Sequence, residues 1–180
     1  MTRDAADRMI RERDRSLLYP NALQILSHLH ERGCCLLLLT NGFRDYQLPM
    51  IEALGLLDYF TAVLASDDLQ SAKPRPEAFD RAFCHCPAAG ERSQRYHIGD
   101  TLTQDVEGAK AAGVTAVWIH RDLPERILSL HPTERAASPE FDEILRERLA
   151  VEHREGADAE RARPDATVAS LEEIADVIPC

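Results

Sequence analysis

Tyr96-His97-Ile98-Gly99-Asp100-Thr101-Leu102-Thr103-Gln104-Asp105-Val106-Glu107-Gly108-Ala109-Lys110-Ala111-Ala112-Gly113 is the stretch on which the reading of this chain turns. It begins as a short apolar run, breaks at Gly99-Asp100, and continues into small residues with helical spacing. A strand that ends in an acid and runs into a helix is how an open α/β sheet builds a ligand site at its carboxyl edge. The carboxylates of Asp100 and Asp105 suit a hard cation. Mg²⁺ takes one or two protein carboxylates and leaves its remaining positions to water and phosphate. Gly108, Ala109 and Ala112 allow close packing of the helix, and Gly113 supplies its C-terminal stop.

The pattern on either side repeats this strand-helix rhythm. Pro20 precedes a helix with Ala22, Ile25, Leu26 and Leu29 on one face and Gly33 at its end. Cys34 to Leu39 is an unbroken apolar run, which predicts a strand covered on both faces, and it ends in Thr40-Asn41-Gly42. A helix over 45–54 follows, with Leu48, Ile51 and Leu54 inward and Gly55 as its stop. Further strands are expected over 61–66, 96–98, 114–119 and 167–169. Lys73-Pro74-Arg75-Pro76 reads as a rigid extended loop. Pro76 fits the first position of the next helix, which carries Phe79 and Phe83.

Residues 120–163 depart from the rhythm. They form a charged insertion with helices expected over 124–130 and 139–153. Ser138 is the expected N-cap of the second, and Phe141, Ile144, Leu145 and Leu149 are its apolar stripe. Residues 152–163 read as a mobile linker. Ser170 and Glu173 read as a capping box on a last helix that turns Ile174 and Ile178 inward. Residues 1–19 read as one exposed helix, with Ala6, Met9, Ile10 and Leu17 at helical spacing. The fold class is therefore α/β: a Rossmann-like, doubly wound parallel sheet over 20–180, with a mostly helical insertion at 120–163.

Composition narrows the function. The 180 residues suffice for one domain with a real core. A net charge of −10 argues against nucleic-acid and membrane-surface binding, both of which favour basic patches. No apolar run reaches the roughly 20 residues that span a bilayer, and the charged N-terminus lacks a secretory signal's apolar stretch. The five cysteines are read as buried free thiols of a reducing, cytoplasmic compartment. Cys84-His85-Cys86 lacks a second ligand pair at zinc spacing and is taken for loop and core. His97 and Trp118 are taken as structural.

Thr40, Lys73 and Asp100 each lie just beyond an expected strand or in the loop after it, so the topology gathers them on one edge. A hydroxyl and backbone N–H groups at Thr40-Asn41-Gly42 can hold phosphoryl oxygens. Lys73 can offset their charge, and Asp100 with Asp105 can hold or support a cation. Positioning and electrostatic stabilisation are what phosphoryl transfer requires.

Three segments in order resemble the haloacid dehalogenase (HAD) superfamily. LLLLTNG, ending at Gly42, is similar to its motif II. SAKPRPEAF, from Ser71, is similar to its motif III region. HIGDTLTQDVEGAKAAG, from His97, is similar to its motif IV with paired acids. The closing PDATVASLEEIADVI looks like the end of many members. The TNG form resembles phosphatase and nucleotidase-like members with a small helical cap, and residues 1–19 would be a remnant of that cap. The resemblance implies Mg²⁺-dependent hydrolysis of a small phosphorylated metabolite, with dehalogenation a poorer fit. It implies that Thr40 hydrogen-bonds the phosphoryl group, that Asn41 and Gly42 shape its pocket, and that Lys73 stabilises it. Asp100 becomes a Mg²⁺ ligand, and Asp105 a ligand or its support.

The family's DxDxT nucleophile motif does not occur in the chain, and the strand that carries it would be the middle of the sheet. The expectation is an inactive chain with a phosphate and cation seat. It would be a late-started or broken version of a working enzyme, a non-catalytic remnant that still binds, or one partner of a pair that supplies the missing strand.

Overall fold

The structure, a computed structural model, describes residues 18–86, 95–152 and 158–179. The helix expected over 1–19 lies almost wholly outside them. Among the described residues, five strands form at the expected places: β1 (Leu37–Thr40), β2 (Ala62–Ala65), β3 (Tyr96–Gly99), β4 (Thr115–Ile119) and β5 (Ala166–Val168). All described pairings are parallel. They make two sheets, β1-β2 and β3-β4-β5. As the family resemblance implies, the strands ending at Thr40 and near Asp100 do not pair with each other. All four residues of β1 and of β3 are only half-buried, whereas Val63, Leu64 and Ala65 of β2 and Ala116, Val117 and Trp118 of β4 are buried.

Helices cover both faces of the larger sheet. On one face, Ala116 and Trp118 pack with α4 (Pro76–Phe83), α5 (Glu107–Ala111) and α8 (Phe141–Val151). On the other, Val117, Ala166 and Val168 pack with α1 (Ala22–Glu31) and α9 (Ile174–Val177). Between these lie α2 (Arg44–Ala53), which contains Pro49, α3 (Ser66–Leu69), α6 (Glu125–Leu128) and α7 (Pro132–Arg135).

Several local expectations give way. Residues 72–75 form a tight turn rather than an extended loop: the Arg75 N–H donates to Ala72 O at 3.0 Å, and the Lys73–Pro74 peptide is cis. Ser138 is not the cap of α8. The helix starts later, at Phe141, and the Ser138 hydroxyl is buried without a partner among the described residues. Glu173 does not close a capping box with Ser170. Its carboxylate takes the Ala169 N–H at 2.8 Å and a forked pair of bonds from Arg135, which is 2% exposed. The described end of the supposed linker is packed: Ala162 is fully buried, and Arg163 donates to Ala136 O and pairs with Asp142. Arg163 draws its charge into ion pairs with Asp142 and Glu160, while Asp158, Glu160 and Arg161 stay largely exposed.

The free-thiol expectation also fails. Cys35, just before β1, forms a disulfide with Cys86, just after α4, and Cys34 is disulfide-bonded as well. Sequence separation hid the pairing, because chain crossings that no local pattern encodes bring these residues together. Cys84 is an exposed free thiol. Among the described residues, no helix is long and apolar enough to cross a membrane.

Candidate functional site

Asp105 is the hub of the carboxyl edge, and it is 3% exposed. Its Oδ1 accepts from Lys73 Nζ at 2.5 Å and from His97 Nε2 at 2.8 Å. Its Oδ2 accepts the Thr101 N–H at 3.0 Å and the Thr101 hydroxyl at 2.5 Å. Two local features bring it there. Residues Leu102–Val106 form a wide π-turn before α5 begins, where the sequence suggested helix directly after Asp100. Gly99 then leaves room for the returning carboxylate, since a Cβ at this position would sit 2.2 Å from Asp105 Cγ. Gly108 makes room in the same way, farther from the strands. A Cβ there would meet Pro74 Cα at 2.8 Å, so glycine lets α5 close on the turn that carries Lys73.

Burial alone would raise the pKa of Asp105. The His97 hydrogen bond and the Lys73 ammonium outweigh it and hold the carboxyl well below the usual carboxylate range. Burial pushes the His97 imidazole below its ordinary value, and the bond to Asp105 opposes this only in part. His97 is therefore neutral near neutral pH, donates its Nε2–H, and packs edge-on against Phe79 at 5.0 Å between centroids. The sequence took it as structural, and its partner is the hub of the site.

Asn41 acts as a staple. Its Oδ1 accepts the Lys73 N–H at 2.8 Å, and its Nδ2 donates to Lys73 O at 2.9 Å and to Gln104 Oε1 at 3.0 Å. One side chain thus joins the end of β1 to the lysine turn and to the loop after β3. Thr40 Oγ1 accepts the Gly42 N–H at 3.1 Å, which leaves the hydroxyl proton for another acceptor. Ser66 Oγ donates to Asn41 O at 3.1 Å and moors this turn to the end of β2.

Asp100 differs from all of these. It is exposed, and no described group donates to its carboxylate, whereas its backbone carbonyl is held by Trp118 Nε1 at 3.1 Å and by Arg148 Nη2 at 3.2 Å. Among the described residues, no group of three or more His, Cys, Asp or Glu could hold a metal. The Asp100 carboxylate, which no described group fills, nevertheless fits Mg²⁺, which does not require an all-protein cage. With both oxygens of Asp105 engaged, Asp100 offers the free carboxylate at this edge among the described residues.

Sequence reasoning singled out Thr40, Asn41, Gly42, Lys73, Asp100 and Asp105; of these the structure joins Asn41, Lys73 and Asp105 in one hydrogen-bonded network, while Thr40 bonds only the Gly42 N–H among the described groups and the Asp100 carboxylate stands outside it. Sequence reasoning missed Gln104, Thr101, Ser66 and Arg148, whose types carry no distinctive spacing. A cavity of about 540 Å³ lies elsewhere, along the outer side of β2, where it is lined by Arg44, Phe60, Val63, Asp68 and His85. None of the candidate residues borders it.

A family model described as haloacid dehalogenase-like hydrolase matches residues 2–113. A phosphoserine phosphatase of Thermus thermophilus is 38% identical over 139 residues, which are 77% of this chain and 52% of that protein. A pyrimidine 5'-nucleotidase of Escherichia coli, YjjG, is 34% identical over 128 residues, covering 64% of this chain and 55% of its own. Among solved structures, a HAD phosphatase from Thermococcus onnurineus matches with a TM-score of 0.64 and 27% identity, covering 90% of this chain and 58% of the other. The chain spans about half the length of the curated relatives it matches.

Proposed function

The chain belongs to the haloacid dehalogenase-like hydrolases, and from that membership we propose that it carries the phosphate-holding and cation-holding half of a phosphomonoester hydrolase for a small metabolite. Thr40 would donate its hydroxyl proton to a phosphoryl oxygen, beside the turn that Gly42 closes. Lys73 would offset the charge of the same group, and Asn41 keeps Lys73 in place through both polar atoms of its backbone. Asp105 fixes the lysine ammonium. Asp100 would hold Mg²⁺, with Asp105 as support. The ion, when bound, would neutralise charge on the phosphoryl oxygens. The observation that carries this reading is the division of labour between the two acids: Asp105 has both oxygens engaged, while Asp100, five residues earlier, offers a carboxylate that no described group fills.

The attacking carboxylate is what the chain lacks. An aspartyl-phosphate needs an acid in line with phosphorus, and no DxDxT supplies one. In this reading the acid belongs on a strand between β1 and β3, neither of which has a described partner on its other edge.

The 180-residue chain is expected to bind Mn²⁺, used as a paramagnetic probe for Mg²⁺, and to lose that binding in Asp100→Asn. It is expected to release no phosphate from p-nitrophenyl phosphate in the presence of Mg²⁺. Turnover that disappears in Asp100→Asn would show that a nucleophile is present after all. The absence of DxDxT equally favours a second reading, a binding protein that holds a phosphorylated ligand without hydrolysing it. A longer chain with an apolar strand ending in DxDxT placed ahead of residue 1 separates the two. It turns over under the first reading and stays inert under the second.

A further inference from the structure

The charged insertion does more than cover the sheet. The apolar stripe of α8 is sunk in the main core: Phe141 and Leu145 are fully buried, and Ile144 and Leu149 nearly so. They share a cluster with Leu102 and Trp118. That burial fixes the C-terminal end of α8 over the loop that follows β3. There Glu152 makes a forked contact with two adjacent amides. Its Oε1 accepts the Leu102 N–H at 3.0 Å, and its Oε2 accepts the Thr103 N–H at 2.9 Å. The Thr103 hydroxyl adds a third bond, at 2.7 Å to Oε2. Arg148, one turn earlier, donates from Nε to Glu152 Oε1 at 3.0 Å and from Nη2 to the Asp100 carbonyl at 3.2 Å. The same carbonyl takes the indole N–H of Trp118, itself within that core.

We infer that Arg148 and Glu152 are positioning residues: they clamp the backbone of 100–103 and so set where the Asp100 carboxylate points. Bonds to charged partners are stronger than neutral ones, and the forked geometry fixes orientation as well as distance. Glu152 is only 10% exposed at its side chain, so solvent screens these contacts little. The clamped atoms are backbone atoms of Asp100 itself and of the two residues just past Thr101. The carboxylate of Asp100 has no described partner of its own, so its aim depends on the backbone that carries it. This positioning role rests on the reading of Asp100 as the cation's ligand, and the experiment below separates the two claims.

Trp118 is the only tryptophan, so its indole N–H gives a single resonance in a ¹⁵N spectrum and reports directly on the Asp100 carbonyl. The full chain is compared with Arg148→Met, Glu152→Gln and a control, Arg146→Met. Arg146 lies on the same helix but is exposed and bonds only within it. In Arg148→Met the indole resonance moves, and in Glu152→Gln the Leu102 and Thr103 amides exchange faster. Both variants bind Mn²⁺ roughly tenfold more weakly, the scale on which outer partners of a metal ligand act. The control changes none of these, and thermal unfolding confirms that each variant is folded. Native resonance and native exchange in folded Arg148→Met and Glu152→Gln overturn the inference. So does unchanged Mn²⁺ affinity where the native chain binds the ion through Asp100. If the native chain binds no Mn²⁺, or Asp100→Asn binds it equally well, the cation reading of Asp100 falls. The clamp is then decided by the resonance and the amide exchange alone.

Discussion

Asp105 concentrates the energetics of the site in one carboxylate. It is buried, it accepts four hydrogen bonds, and Lys73 is the full charge set against it. Removing one partner of such a pair leaves an uncompensated charge, which costs far more than the pair itself contributes. Gly99 is the residue that makes room for this arrangement. In Gly99→Ala the new methyl group would lie within 2.6 Å of three Asp105 atoms, so the carboxylate must leave its partners. The expected loss is about 3 kcal/mol in urea unfolding, combining overpacking with disruption of the buried network. The roles proposed for Thr40, Lys73 and Asp100 rest on residue types whose chemistry the sequence already shows, wherever the chain places them. Asn41 was legible as a site residue but not as a staple, because its three partners come from two distant loops.

Among the elements, the insertion shows what periodicity can and cannot reveal. The apolar stripe of α8 identified its buried face correctly, since spacing alone decides which side of a helix is apolar. The same sequence could not show which polar groups at its ends would find partners, so Ser138, Glu152 and Arg163 were misread. The short helix α7 was not anticipated. It is held by Arg135, whose guanidinium reaches Thr167 O at 3.0 Å and Glu173. The Arg135 hydrogen bond lowers the pKa of Glu173 below its ordinary 4.5, against the opposing effect of burial. A depressed carboxylate pKa contributes stability that is fully present above the unfolded value and is lost as pH falls through the folded one. Glu173→Gln is therefore expected to cost about 2 kcal/mol near neutral pH, less than a fully buried pair because Glu173 is partly exposed. It should also flatten the loss of stability below about pH 4.5, measured by urea unfolding across that range.

For the whole molecule, the parallel order of strands and their helical cover followed from the alternation of apolar runs with amphipathic stretches. The resemblance implied a sheet without its middle strand, and the described strands fall into two separate sheets. The Cys35–Cys86 bond followed from neither, because covalent pairing depends on spatial proximity that local pattern does not report. The division has a measurable signature. Strands β1 and β3 have one described neighbour each and are half-buried, whereas β4 is flanked on both sides and its centre is buried. Native-state hydrogen exchange is expected to open peptides over β1 and β3 before those over β4, since protection follows burial and pairing. Equal protection across all three would contradict the two-sheet arrangement.

The staple at Asn41 has a bearing on how the protein ages. An asparagine followed by glycine sheds ammonia when the glycine nitrogen attacks the side-chain carbon and closes a succinimide ring. Here the carboxamide is held on both sides by Lys73 and Gln104, while the Gly42 nitrogen is turned to Thr40. Ring closure would have to break those bonds first. Deamidation at this pair should therefore track the unfolded fraction of a stored sample, and each chain that does convert would bring a carboxylate oxygen against the carbonyl of Lys73.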